Sequence, residues 1–221
     1  MAQEVHFARQ LVQSATDIAV VTHIRPDGDA IGSLLGLGLA LAASGKSVQM
    51  ISGDGVPSTF RFLAGSDRIR THLEELSGSL DLIVVVDASE LSRTGTVLDG
   101  YPSPHINIDH HPTNQRFGHI NLVHEKASST AEIVYQLLDY FRLPITKNVA
   151  TQLLTGIMTD TGGFSNLATT PSSMEASSRL MIFGARVKEI MLRRNNRLAL
   201  HRPPPGRQLV EHPCVLQDPE V

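Results

Sequence analysis

Asp81-Leu82-Ile83-Val84-Val85-Val86-Asp87 is the stretch that decides the fold. Its five consecutive apolar residues, four of them β-branched, leave no polar face for solvent. Such a run suits a strand of a parallel sheet buried on both faces. The flanking sequence supplies the partners. Ile18–Thr22, Lys46–Ile51 and His105–Ile108 are expected as further short strands. Glu4–Ala15 places Val5, Ala8, Leu11 and Val12 on one helical face. Gly28–Ser44 is expected as a helix whose Gly32, Gly36 and Gly38 allow close packing on a sheet, with Gly45 as its stop. Arg68–Leu76, Ser129–Phe141 and Lys147–Met158 are expected to be helical, and Pro171 fits the first turn of a helix running to about Phe183. Strands alternating with helices predict an α/β fold, a mainly parallel sheet flanked by helices.

In open sheets of this kind ligands bind beyond the carboxyl ends of the strands. Asp and His residues gather at those ends. His23-Ile24-Arg25-Pro26-Asp27-Gly28-Asp29 follows Ile18–Val21, Asp87 closes Leu82–Val86, and Asp109-His110-His111 closes Ile106–Ile108. Asp160 follows the amphipathic stretch ending at Met158, in a Gly-rich loop. Each has an ordinary structural explanation by itself: Asp29 or Asp87 as a cap, Asp109-His110-His111 as a surface turn, Asp160 as a helix-ending turn. Their convergence on one edge argues for a metal centre. Mixed imidazole and carboxylate donors suit Mn²⁺ or a similar divalent ion better than Mg²⁺. Two such ions about 4 Å apart can share a carboxylate, activate water and neutralise phosphate charge.

Two neighbouring segments are candidates for holding substrate. Ser128-Ser129-Thr130 could offer hydroxyls and backbone N–H groups to a phosphate at a helix N-terminus, or could be a simple N-cap assisted by Glu132. Arg25 could meet a substrate phosphate or lie solvated. A dinucleotide-binding reading of Gly28-Asp29-Ala30-Ile31-Gly32 is disfavoured, because a carboxylate stands where a pyrophosphate would approach.

Composition narrows the class. A net charge of −3 gives no global basic field for nucleic acid, so local cations or metals must meet any polyanion. The single cysteine, Cys214, excludes an internal disulfide framework. The first residues lack a basic region and a signal-type apolar core, and Ala30–Ala43 is too short and Gly-interrupted to span a bilayer. The expected setting is the cytoplasm, without a membrane partner. From Arg193 onward the character changes. Five of the twelve prolines and the only cysteine lie beyond residue 202, and an extended, poorly packed tail is expected there.

The motifs resemble those of the DHH phosphoesterases, most closely the bacterial oligoribonucleases that also dephosphorylate 3′-phosphoadenosine 5′-phosphate. The matching text is Thr22-His23-Ile24-Arg25-Pro26-Asp27-Gly28-Asp29-Ala30-Ile31-Gly32-Ser33, Val85-Val86-Asp87, Ile108-Asp109-His110-His111-Pro112, Ser128-Ser129-Thr130-Ala131-Glu132 and Gly156–Phe164. The resemblance covers about residues 4–190 and implies a Rossmann-like three-layer domain over residues 1–190. It implies two divalent ions, Mn²⁺ foremost. The first would be held by His23, Asp27 and Asp87, the second by Asp29, Asp87, His110 and Asp160, with Asp87 bridging. Asp109 would orient a histidine, His111 would contact the scissile phosphate and assist protonation of the leaving group, and Ser129 and Thr130 would lie near the site.

Members of that family carry a second, substrate-binding domain with a Gly-Gly-His type motif. No stretch here matches it, and residues 191–221 form an atypical Pro/Arg-rich segment in its place. The expected function is two-metal hydrolysis of phosphate esters in short oligonucleotides or 3′-phosphoadenosine 5′-phosphate. A cyclic-dinucleotide or small phosphoanhydride hydrolase is the alternative within the class. A metal-binding but catalytically idle fragment or interaction module is the alternative outside it. A homodimer is compatible with each.

Overall fold

The computed structural model describes residues 2–73 and 80–200. Six strands form one parallel sheet: β1 (Asp17–Thr22), β2 (Ser47–Ser52), β3 (Ile69–Arg70), β4 (Leu82–Val86), β5 (Ile106–Asp109) and β6 (Ile120–Val123). The helices are α1 (Ala2–Ser14), α2 (Gly28–Ala43), α3 (Thr130–Phe141), α4 (Lys147–Asp160), α5 (Pro171–Ile182) and α6 (Val187–Leu200). The strand order β3-β2-β1-β4-β5-β6 reverses direction between β1 and β4. That reversal opens a crevice beyond the carboxyl ends of β1 and β4, where ligands of such sheets lie.

Both faces of the sheet are buried, as the apolar run of β4 requires. Ile18, Val20, Leu82, Val84, Val86, Ile106 and Ile108 pack into the larger core with the helices. Ala19, Val21, Ile83 and Val85, on the alternate positions, face a smaller core with Leu73, Ala88 and Leu98. The layer over this second face, among the described residues, is made of loops and a 3₁₀ turn at Leu91–Thr94 rather than long helices.

Close packing of α2 on α4 sets the position of the site. A Cβ on Gly32 would lie 2.6 Å from the Gln152 carbonyl oxygen and 2.9 Å from the Gly156 nitrogen. Gly28, at the start of α2, lies against Thr159 near the end of α4, and Gly36 lies against Leu153. The two helices therefore run antiparallel, and the first turn of α2 meets the last turn of α4. Asp29 and Asp160 come from those two turns.

Three expectations need correction. Arg68–Leu76 does not form a helix among its described residues. Ile69 and Arg70 pair with Met50 and Ile51 as the edge strand β3, and residues 74–76 lie outside the described part. Ile69 and Leu73 have helical spacing, but they pack into opposite cores of the sheet. β6 was not expected. Its Asn121 breaks the apolar run, exchanging hydrogen bonds with both the N–H and the C=O of Gly118. The extended segment expected from Arg193 instead begins as helix, as α6 runs from Val187 to Leu200. Its Arg and Leu content favours helix. Residues 201–221, with Pro203–Pro205, His212 and Cys214, lie outside the described part.

The packing predicts a graded response. Gly32→Ala forces backbone against backbone and should destabilise the protein by about 1–3 kcal/mol, despite alanine's better helix propensity. Gly36→Ala meets only the flexible Leu153 side chain and should cost less. Thermal melts of the two variants check the order.

Candidate metal centre

Each candidate side chain is carried by the end of an element. Asp27 is the N-cap of α2, and its Oδ1 accepts from the N–H groups of Asp29 and Ala30, both at 3.0 Å. Its exposed carboxylate turns toward the crevice side of β1 and β4, with His23 and Asp87 as neighbours. His23 follows β1. Its Nδ1 bonds the carbonyl of Ile24 at 2.7 Å, and its Nε2 lies 3.5 Å from Asp87 Oδ2. A carbonyl on one ring nitrogen leaves the other free for a charge or a metal.

Asp87 lies at the centre. The chain turns sharply after β4, and Asp87 adopts φ 60°, the left-handed region rarely used by residues other than glycine, asparagine or aspartate. Arg25, in the loop after β1, also lies there at φ 53°. Such backbone concentrates at functional sites. Asp87 is 2% exposed. Its Oδ2 faces His23, while its Oδ1 lies 3.8 Å from His110 Nε2 and 3.9 Å from His111 Nδ1.

Asp29 and Asp160 complete the other side. His110 Nε2 lies 3.3 Å from Asp160 Oδ2 and 3.9 Å from Asp29 Oδ2. Asp29 is 1% exposed and is held by the start of α3, where the N–H groups of Thr130 (2.6 Å) and Ala131 (2.9 Å) each donate to one of its oxygens. Asp160 is the last residue of α4 rather than part of the following loop.

Three sets of potential ligand atoms, each within 4.8 Å of one another, thus fall in one crevice: His23, Asp27 and Asp87; Asp29, His110 and Asp160; Asp87, His110 and His111. The electrostatics suit a cation. Asp27, Asp29, Asp87 and Asp160 converge, and among the described residues their recorded ion-pair partners are histidines. Burial, then the charges of Asp87 and Asp160, hold Asp29 well above the usual carboxylate range. Burial and repulsion from Asp87 and Asp27 push Asp160 up to about 8. Burial would also raise Asp87, but the His23 hydrogen bond and the charges of the three histidines hold it below its ordinary value. An anionic phosphate would not enter such a site unaided. Divalent ions would relieve the repulsion among the carboxylates and attract the phosphate, so the donor set fits them.

His111 differs from His23 and His110. Its side chain is 45% exposed, and its Nδ1 donates to Asp109 Oδ1 at 2.7 Å. That hydrogen bond outweighs burial and raises its pKa to about 9. Asp109 is fully buried at the end of β5, and its Oδ2 accepts from Asn114 Nδ2 at 2.7 Å. Asn114 Oδ1 in turn accepts from Asn107 Nδ2 at 3.0 Å. Sequence reasoning missed both asparagines. Asn107, a polar residue inside Ile106–Ile108, was a usable sign, whereas Asn114 looks like any turn residue.

The remaining candidates lie around this cluster. Ser129 caps α3 by accepting from the Glu132 N–H, and the Thr130 hydroxyl donates to Asp87 Oδ1 at 2.9 Å. Both residues are fully buried, with no surface through which to meet a substrate in this structure. Glu132 accepts from the N–H and hydroxyl of Ser128. Arg25 is exposed on the crevice side of β1, with its N–H donating to Asp54.

Comparison with known proteins agrees with the geometry. The model of the DHH family, N-terminal domain, matches residues 17–157. The bifunctional oligoribonuclease and PAP phosphatase NrnA of Thermus thermophilus is 40% identical over 174 residues, 78% of this chain and 52% of that protein. The cyclic-di-AMP phosphodiesterase GdpP of Bacillus subtilis is 32% identical over 197 residues, 81% of this chain and 30% of that protein. The chain thus spans about half the length, or less, of these relatives. Among solved structures, an exopolyphosphatase-related protein from Bacteroides fragilis superposes with a TM-score of 0.80 at 29% identity, covering 90% of this chain and 64% of that one. No helix among the described residues is long and apolar enough to cross a membrane.

The Asp109–His111 pair makes a testable prediction for the metal-free protein. A histidine whose folded pKa is raised from about 6.5 to about 9 adds stability that is complete below about pH 6.5 and lost as pH rises through about 9. Asp109→Asn should return the His111 titration, followed by NMR, toward 6.5 and flatten this part of the melting profile.

Proposed function

The chain belongs to the DHH family, and on that premise we propose that it hydrolyses phosphate esters of short oligonucleotides or 3′-phosphoadenosine 5′-phosphate with two divalent ions, Mn²⁺ foremost. The observation that carries this proposal is the position of Asp87. One of its oxygens faces His23, and the other faces His110. His23, Asp27 and Asp87 would hold one ion. Asp29, His110 and Asp160, with the second oxygen of Asp87, would hold the other. The ions would supply charge neutralisation and a nucleophile at neutral pH.

The rest of the chemistry falls to the chain itself. In hydrolysis, water oxygen bonds to phosphorus, the phosphorus–oxygen bond to the leaving group breaks, and the leaving oxygen takes a proton. His111 suits that proton transfer, because with a pKa of about 9 it is protonated at neutral pH and partly exposed. Asp109 would keep its ring in orientation. Arg25, exposed on the first loop, would meet a distal phosphate. Ser129 and Thr130 would act from behind the carboxylates. A cytoplasmic location belongs to the same proposal. The names of the relatives support nucleotide substrates, oligoribonucleotides and a cyclic dinucleotide among them.

A second reading is a metal-binding module without turnover: exposed Asp27 and the half-exposed His111 side chain leave the crevice open, and an open crevice excludes less water.

A panel assay with Mn²⁺ separates the readings: a ribodinucleotide, a short oligoribonucleotide, 3′-phosphoadenosine 5′-phosphate, a cyclic dinucleotide and pyrophosphate. Hydrolysis of the first three, reduced more than about 100-fold by Asp87→Ala, is the expected result, since losing a merely supporting partner costs about 10–100-fold. Turnover confined to the cyclic dinucleotide or pyrophosphate would replace the substrate assignment. No turnover, with Mn²⁺ still raising the melting temperature, would favour the idle metal-binding module.

A further inference from the structure

Thr130 touches two aspartates that lie 101 and 43 residues away in sequence. Its N–H donates to Asp29 Oδ2 at 2.6 Å, and its hydroxyl donates to Asp87 Oδ1 at 2.9 Å. It opens α3, is fully buried, and belongs to the β-branched residues with few side-chain rotamers. The terminal torsion of an aspartate, by contrast, is soft and broadly distributed. Asp87 therefore needs an external anchor to keep one oxygen toward His23 and the other toward His110. The Thr130 hydroxyl bonds the oxygen on the His110 side. A carboxylate oxygen has two lone-pair sites, so this bond leaves one free for an ion.

We infer that Thr130 is a positioning residue whose hydroxyl locks the rotation of the Asp87 carboxylate, so that one oxygen serves each half of the metal centre. The inference rests on the two-metal reading above. It assigns Thr130 a role toward the ions rather than direct contact with substrate. The backbone bond from Thr130 to Asp29 does not depend on the side chain, so substitution at Thr130 isolates the hydroxyl's effect on Asp87.

Calorimetric titration of the metal-free protein with Mn²⁺, together with the EPR spectrum of the loaded protein, tests this without an activity assay. Wild type should bind two ions with the broadened resonance of a spin-coupled pair. Thr130→Val keeps the shape and removes the hydroxyl. It should weaken one of the two ions by about 10–100-fold and lose the coupled signature at two Mn²⁺ per protein, where wild type shows it. Thr130→Ser keeps the hydroxyl and removes the methyl group, and should bind like wild type. Thr130→Ala removes the hydroxyl as well and replaces the valine variant if that fails to fold. A hydroxyl-free variant that binds both ions like wild type would overturn the inference. So would Thr130→Ser losing as much affinity as Thr130→Val, because packing would then explain both. Wild-type protein that bound no Mn²⁺ would remove the two-metal reading itself.

Discussion

The carboxylate of Asp29, buried between the first turns of two helices, is the constraint on which the site depends. It belongs to the first turn of α2, and its oxygens accept the leading N–H groups of α3. Burying a lone carboxylate costs several kcal/mol. Two charge-assisted hydrogen bonds and the positive ends of two helices offset part of that cost. The offset is incomplete, because burial and the neighbouring charges of Asp87 and Asp160 still hold Asp29 well above the usual carboxylate range. The same contact brings the start of α3 against the end of β4, where Thr130 reaches Asp87, and the packing of α2 on α4 brings Asp160 alongside. A loss of that contact would separate the ligand sets from one another.

Local sequence patterns made much of this legible. The run Leu82–Val86 announced a buried parallel strand, and the Asp and His residues at strand ends followed from where such sheets bind ligands. The spacing of Gly32, Gly36 and Gly38 predicts close packing on a sheet, which holds for Gly38 against Met50 of β2, whereas Gly32 and Gly36 pack on α4 instead. The identity of the partner, α4, did not follow, because nothing local to α2 names Gln152 or Gly156. For the same reason the sequence does not disclose that Thr130 faces Asp87 or that Asn114 holds Asp109. Those links join residues brought together only by the finished sheet. The misread stretches failed for a different reason. Ile69 and Leu73 have helical spacing yet serve opposite faces of the sheet, and the polar Arg193-Arg194-Asn195-Asn196-Arg197 lacks the apolar period that marks a packed helix.

The candidate site is graded by exposure. Asp29, Asp87 and His23 are buried, with geometry held by backbone N–H groups, a backbone carbonyl and the Thr130 hydroxyl. Asp27, Asp160 and His111 reach toward the open side. The buried group fits the task of fixing ligand positions, and His111 fits exchange of a proton with a bound phosphate. The accumulated negative charge is a cost to the metal-free fold, as is common where function departs from optimal stability. A divalent ion on each side of Asp87 would turn that cost into binding energy.

A crystal structure of the Mn²⁺-loaded protein, with anomalous diffraction to locate manganese, tests the central claim most directly. Two peaks should flank the Asp87 carboxylate, one against His23 and Asp27 and the other against Asp29, His110 and Asp160. A single peak, or manganese held away from Asp87, would contradict it.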